Sequence, residues 1–223
     1  MTLTVEENQI RLAEQKWLEM WKIGPERVRW TKLPLQVGDA APDIVLMDMS
    51  GAKLHLSSFW RNRPAVIIFL RHFGCSCAFD RIKRLKDEYA SYIEAGANVI
   101  AIGQGEPERS KRFAEQRGLP CGLLCDPERR AYEAFDVLEG RPSQIVYGSP
   151  DAFLRRDSEA GLKLQLSRRG TERAAVDSPW QLPSDFVVGQ DGFFRLTHRA
   201  QFCDDYADPQ VLLAAIREAI LGL

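Results

Sequence analysis

The chain of 223 residues carries 30 basic and 31 acidic side chains, a formal net charge of -1, with 45% hydrophobic and 27% charged residues. That balance offers no cationic footprint for a polyanion, so nucleic acid is not an expected partner, and the composition excludes a fibrous or disordered protein while leaving length for one core with additions. The first residues lack the basic start and unbroken apolar run of a secretory signal, and no segment approaches the length of a membrane span; no membrane partner and a cytoplasmic location are expected.

Thr4 followed by Glu7 makes a capping box ahead of the stripe Ile10, Ala13, Trp17, Met20 and Trp21, which ends near Gly24-Pro25. Residues 1–36 are therefore expected as a helical N-terminal extension, whose tryptophans either pack onto the domain of residues 37–223 or cover a homodimer contact. From Asp43 to Leu56, alternating apolar residues and a turn at Ser50-Gly51 predict a β-hairpin. The pattern then changes to a strand at Ala65–Leu70, a helix at Ala78–Ala95, a strand at Asn98–Ile102, a helix at Glu108–Arg117, a short strand at Cys121–Cys125 and a helix at Pro127–Phe135. Continuous apolar strands alternating with helices argue for parallel βαβ units with helices on both faces of the sheet. Residues 137–182 are polar and rich in Arg, Gly and Pro, and read as an insertion with one helix opened by Ser149-Pro150 before Phe153 and Leu154. A hairpin, Asp185–Val188 and Phe193–His198 around Asp191-Gly192, and an amphipathic helix at Pro209–Leu221 close the chain.

Cys75-Ser76-Cys77 opens the first of these helices at the end of the apolar run. A helix N-terminus carries partial positive charge and free backbone N–H groups, which favour the reactive thiolate, so the local reading is redox chemistry. Cys75, Cys77, Cys121, Cys125 and Cys203 form an odd count in a reducing compartment, which leaves catalytic, metal-binding or plainly buried thiols rather than a disulfide framework. Gly74, Arg71 and His72 strengthen the case for Cys75 over a thiol merely retained, although Arg71 and His72 point to opposite sides and at most one faces it. Residues two apart on a helix point apart, so a Cys75–Cys77 disulfide requires local unwinding and is strained and easily reduced; otherwise Cys77 is a small core residue. Zinc held by Cys121 and Cys125 with that pair is disfavoured by spacing, and no metal is expected. Cys203 follows the last strand at the same sheet edge as Cys75, either as a distant resolving thiol or as an exposed bystander. Gly103-Gln104-Gly105 lacks the third glycine of a dinucleotide fingerprint, and no cofactor is expected.

Several ordered segments resemble one family. VGDAAPDIVLMDMSGAKLHLSSF (37–59) is similar to the opening of the peroxiredoxins of the alkyl hydroperoxide reductase and thiol-specific antioxidant group, and FLRHFGCSCAFD (69–80) to its peroxiredoxin-like branch; LLCDPERRAYEAF (123–135) and DFVVGQDGFFRLTHR (185–199) continue the match. The resemblance implies an α/β, thioredoxin-like mixed central sheet flanked by helices, a peroxide or disulfide substrate and a thioredoxin-like electron donor. It implies that Arg195 stands beside the reactive thiol; Arg199, four residues on, shares its strand face, and each either serves the thiol or peroxide or is an ordinary solvated arginine. Pro183 lies near the place of the thioredoxin cis-proline, one residue off register. The family's T-x-x-C places its peroxidatic cysteine fourth, where this chain has Ala78; Cys75 stands first, and the branch's C-x-x-C is shortened to Cys75-x-Cys77.

Two functions follow: a thiol-dependent antioxidant oxidoreductase in which Cys75 attacks a peroxide or a disulfide and Cys77 or Cys203 resolves the product, or a redox-inactive thioredoxin-like module for binding or redox sensing.

Overall fold

The computed structural model describes residues 15, 18–147 and 177–222. Trp17 and the helix expected after Ser149-Pro150 lie outside the described residues. Seven strands form one mixed sheet: β1 (Val45–Asp48), β2 (Lys53–His55), β3 (Ala65–Phe69), β4 (Asn98–Gly103), β5 (Gly122–Cys125), β6 (Ser184–Val188) and β7 (Phe194–Arg199), in the order β2-β1-β5-β4-β3-β6-β7. The helices are α1 (Ser57–Trp60), α2 (Ser76–Glu94), α3 (Pro107–Arg117), α4 (Arg130–Ala134), α5 (Pro142–Val146) and α6 (Pro209–Leu221). The expected hairpins and βαβ succession are all present. α4 is shorter than expected because Arg129 ahead of it takes a left-handed conformation, φ 57°, and α2 begins two residues earlier, at Ser76.

β3 explains its own composition. It runs parallel to β4 and antiparallel to β6, so neither edge nor either face meets water, and all five residues are buried. Val66, Ile68 and Leu70 enter one core with Ile82, Leu85 and Tyr92 of α2 and Leu212 and Ile216 of α6. Ala65, Ile67 and Phe69 enter the other, with Trp60 of α1 and Tyr132 and Phe135 near α4.

The N-terminal segment docks on this frame. Residues 18–23 are helical, and the Trp21 ring meets Trp180 edge to face at 4.2 Å while the Trp180 indole donates to the Met20 carbonyl. Trp21 thus packs within its own chain. Further along, the backbone N–H groups of Glu26 and Arg27 donate to the buried Glu139 carboxylate, and Trp30 Nε1 donates to the Asp136 carbonyl. Among the described residues no helix is long and apolar enough to cross a membrane.

The chain leaves β3 under control of one phenol. Tyr132, fully buried, donates its hydroxyl to the Leu70 carbonyl at 2.6 Å and lies 3.1 Å from that of Ile102. Tyr132→Phe leaves the Leu70 carbonyl without this donor in a dry core. It is expected to lower the unfolding free energy by about 1–3 kcal/mol, read from urea denaturation.

Candidate functional site: three thiols around a buried arginine

Beyond Leu70 the chain turns, with the Cys75 N–H donating to the His72 carbonyl, and Cys75 becomes the N-cap of α2 in extended backbone, φ -91° and ψ 131°. This alters the geometry expected of Cys75 and Cys77. Only Cys77 is in the helix, so the rule that helical residues two apart diverge does not bind the pair, and both enter one core cluster. The Cys75 carbonyl accepts from the N–H groups of Ala78 and Phe79, but its sulfur takes no capping hydrogen bond from the helix. The positive partner is a side chain instead. Arg71 Nε donates to Cys75 Sγ at 3.3 Å.

Arg71 is among the largest fully buried side chains of the protein, 1% exposed. Its Nη1 donates to the Gln181 carbonyl and its Nη2 to the Pro179 carbonyl, both at 2.7 Å. Those carbonyls satisfy N–H groups but bring no net charge, and a buried guanidinium without a counter-charge is costly. Burial on its own would push the guanidinium down; the neighbouring cysteines, with Cys75 bonded to its Nε, outweigh it and hold it above its ordinary value.

The sulfurs are not equivalent. The neighbouring Cys203 and Cys75, together with burial, push the Cys77 thiol well above the usual value, so it stays protonated. Cys203 Sγ lies 3.5 Å from the Gln144 carbonyl and 3.7 Å from that of Ile145, which accept from its S–H. Cys75, in contact with the cation, is the sulfur suited to carry negative charge. Cys75 and Cys203 are fully buried and Cys77 is 8% exposed. All five cysteines are free.

The surroundings hold this arrangement from three sides. Phe73 stacks on Phe113 at 4.0 Å, and its ring fills a slot that the two glycines of Gly103-Gln104-Gly105 leave open: a Cβ would stand 2.6 Å from the ring at Gly103 and 2.4 Å at Gly105. The Phe73 N–H donates to the buried Asp177 carboxylate, which pairs with Arg109, and the Ser178 N–H donates to Gln104 Oε1. Residues 177–182, the exit of the predicted insertion, are thereby fastened over the thiols, with Trp180, Leu182 and Ile145 of α5 completing the apolar cover. On the third side the Tyr206 hydroxyl donates to the Cys77 carbonyl at 2.6 Å, and burial with the nearby Cys77 and Cys75 charges pushes this phenol up, keeping it a donor.

Of the other expected residues, Arg71 is bonded to Cys75, and His72 is buried beside it. The structure does not bring Arg195 or Arg199 to the thiols. In the antiparallel ladders Ala65 pairs with Val188 and Val188 with Phe194, so Arg195 sits at the β3 end opposite Cys75, roughly 13 Å of strand away. There it pairs with Asp191 at 2.7 Å. Arg199 is at the correct end on the wrong face: it donates to the Phe135 carbonyl and lies over the Phe186 ring in the opposite core. Among the described residues no peptide bond is cis, so Pro183 supplies no cis-proline. Ala78, at the family's peroxidatic place, is a methyl packed in the core. Cys121 and Cys125 flank β5, two strands from β3, where burial pushes Cys121 up to about 12 and raises Cys125 too. Among the described residues no three His, Cys, Asp or Glu side chains are grouped to hold a metal ion.

The comparisons agree with this architecture. Residues 37–196 match the model of the AhpC/TSA family. Peroxiredoxin Bcp of Escherichia coli is 32% identical over 104 residues, 47% of this chain and 66% of that protein, and human peroxiredoxin-like 2C is 28% identical over 164 residues, 72% and 71% of the two chains. The first curated relatives are matched over 41% and 66% of their length, less than two thirds. The solved structure of peroxidoxin BcpB from Mycobacterium tuberculosis superposes with a TM-score of 0.58 at 19% identity, covering 82% of this chain and 97% of that one, which establishes the shared fold.

Two measurements test the site. Arg71→Met removes the cation next to Cys75, and alkylation of Cys75 by iodoacetamide at neutral pH, followed by peptide mass spectrometry, is expected to slow about tenfold as the sulfur loses the group that favours its thiolate; an unchanged rate would show that the reactivity of the sulfur does not depend on Arg71. The second concerns the loop bearing Cys203, where His198 Nε2 lies 3.3 Å from Asp205 Oδ1. Burial pushes the His198 imidazolium down, but the hydrogen bonds and charge of Asp205 prevail and raise it, while that same contact holds Asp205 below the usual carboxylate value. The pair therefore stabilises the fold fully below the unfolded histidine value of about 6.5 and fades as pH rises through the elevated folded value. Melting temperature should fall across neutral pH more steeply in the native protein than in His198→Gln, and parallel profiles would refute the charged pair.

With the matched model spanning most of the chain and the sheet, helices and cysteine-bearing helix start in the order that its members require, this chain belongs to the AhpC/TSA family.

Proposed function

We propose that the chain is a thiol-dependent antioxidant oxidoreductase that reduces a peroxide or a disulfide through Cys75. One observation carries the reading: a fully buried guanidinium, whose other hydrogen-bond partners among the described residues are backbone carbonyls, donates to this sulfur. Its charge is best balanced by a thiolate. The peroxiredoxin relatives and the family match support the same chemistry.

Towards a peroxide, the Cys75 thiolate attacks one oxygen, an S–O bond forms as the O–O bond breaks, and the alkoxide or hydroxide leaves with a proton; Cys75 becomes a sulfenic acid. Towards a disulfide, the same thiolate attacks one sulfur and forms a mixed disulfide as the other sulfur departs. Arg71 holds the nucleophile charged before the reaction. Cys77, a protonated thiol two residues on in the same core cluster, is the first candidate to resolve either product. Arg195 and Arg199 take no part, since their bonds are made elsewhere. Reduction of the oxidised protein falls to an external dithiol, for which a thioredoxin-like donor is suited. Five free thiols fit a reducing compartment such as the cytoplasm.

Cys75→Ser is expected to abolish hydrogen peroxide consumption and trapping of a sulfenic acid by dimedone, with Cys121→Ser as a control that retains both. Activity preserved in Cys75→Ser would sink the assignment and favour the redox-inactive module.

A further inference from the structure

Oxidised Cys75 does not face a single thiol. Cys75, Cys77 and Cys203 share one core cluster, Tyr206, three residues beyond Cys203, donates its hydroxyl to the Cys77 carbonyl, Arg71 donates to Cys75, and both other cysteines raise the Cys77 thiol. Cys203 is kept in place independently of α2: its S–H faces the Gln144 and Ile145 carbonyls, Gln144 Nε2 donates to the Gln201 carbonyl, and the loop from 200 to 207 is pinned through Asp205 to His198 and through the Ala207 N–H to the buried Asp185 carboxylate. Arg81 pairs with that same Asp185 and with Glu88, tying α2 to β6 beneath the thiols. A sulfur aligned in this way by α5, β7 and β6 is more than a packed bystander.

Resting on the reading that Cys75 is the attacking thiol, we propose that the chain relays its disulfide inward-to-outward, from Cys75–Cys77 to Cys77–Cys203, and so returns Cys75 to the thiolate before any external reductant arrives. The steps balance as follows. Peroxide converts the Cys75 thiolate, with one proton, to the sulfenic acid and releases an alcohol or water. The Cys77 thiol attacks that sulfur, an S–S bond forms, and the hydroxyl leaves as water with the Cys77 proton. Cys203 then attacks the Cys77 sulfur: the Cys77–Cys203 bond forms, the Cys75–Cys77 bond breaks, Cys75 departs as thiolate and the Cys203 proton is released. A dithiol finally reduces Cys77–Cys203 and is itself oxidised to a disulfide.

The direction of the second exchange follows from two physical facts. Thiol–disulfide exchange expels the better stabilised thiolate, and Arg71 donates to Cys75. A bridge between an N-cap and a residue two places on closes a very small ring against the narrow geometric tolerance of disulfides, whereas Cys77 and Cys203 come from separate elements. Cys77 is also the least buried of the three, where an incoming dithiol meets the pair.

The test is a quenched time course on the full reduced protein with one equivalent of hydrogen peroxide, free thiols blocked by N-ethylmaleimide, and disulfides mapped by non-reducing peptide mass spectrometry. The native chain should pass through a transient Cys75–Cys77 species that is lost as Cys77–Cys203 accumulates with Cys75 free and blocked. Cys203→Ser should stop at Cys75–Cys77, and Cys77→Ser should leave Cys75 as a dimedone adduct with no disulfide. A final native product with Cys75 in the disulfide, to either partner, overturns the relay; the native time course decides this even where a variant fails to fold. If Cys75 takes no dimedone in Cys77→Ser and the native chain consumes no peroxide, the attacking role itself falls, an outcome distinct from a dimedone-positive Cys75 with the wrong final pairing.

Discussion

The site depends on one buried positive charge. A guanidinium taken out of water needs both its N–H groups bonded and its charge opposed, and Arg71 obtains these from different sources. Backbone carbonyls of Pro179 and Gln181 take the two terminal nitrogens, leaving Nε for a sulfur. Had a carboxylate occupied that position, the charge would have been neutralised permanently and the thiols would have had no reason to ionise. The chemistry of the site thus comes from the type of acceptor that evolution did not place there: dipoles rather than an anion.

This assigns work to the segment that sequence left without a function. Residues 177–182 supply the carbonyls for Arg71, the carboxylate for the Phe73 N–H and the tryptophan that meets Trp21. The Phe73 ring, in a slot that only glycine at 103 and 105 leaves free, fixes the turn between Arg71 and Cys75 from the opposite side. A helix dipole was the expected source of thiolate stabilisation, yet the Cys75 sulfur takes no amide of the first turn. A charge-assisted bond from a desolvated guanidinium is roughly twice as strong as a neutral one, so the substitution strengthens the site.

The sheet was legible because its signals are local. A run of β-branched and aromatic residues such as Ala65–Phe69 is stable only where every edge and face is covered, and that is where β3 lies. Cys75 at the start of α2 was equally legible from the change of periodicity. The partners of Cys75 were less so. Sequence offers Arg71 as a neighbour of Cys75, but only the turn after Leu70 brings its Nε to the sulfur. The carbonyls of Pro179 and Gln181 carry no side-chain signature and lie more than a hundred residues away. Arg195 is suggested by resemblance and Arg199 by its spacing on the same strand, and two antiparallel ladders send one to the far end of the sheet and the other to its opposite face. Helical spacing does not govern Cys75 and Cys77 for a sharper reason: Cys75 is an N-cap, which is not yet in the helix.

Burial and reactivity are coupled at this site by the same atoms. Cys75 is fully buried, and residues 177–182, whose Trp180 and Leu182 share its core cluster, also supply the carbonyls that hold Arg71. The packing that keeps water from the sulfur therefore keeps it from the guanidinium as well, and the low dielectric that results is what makes their mutual interaction strong.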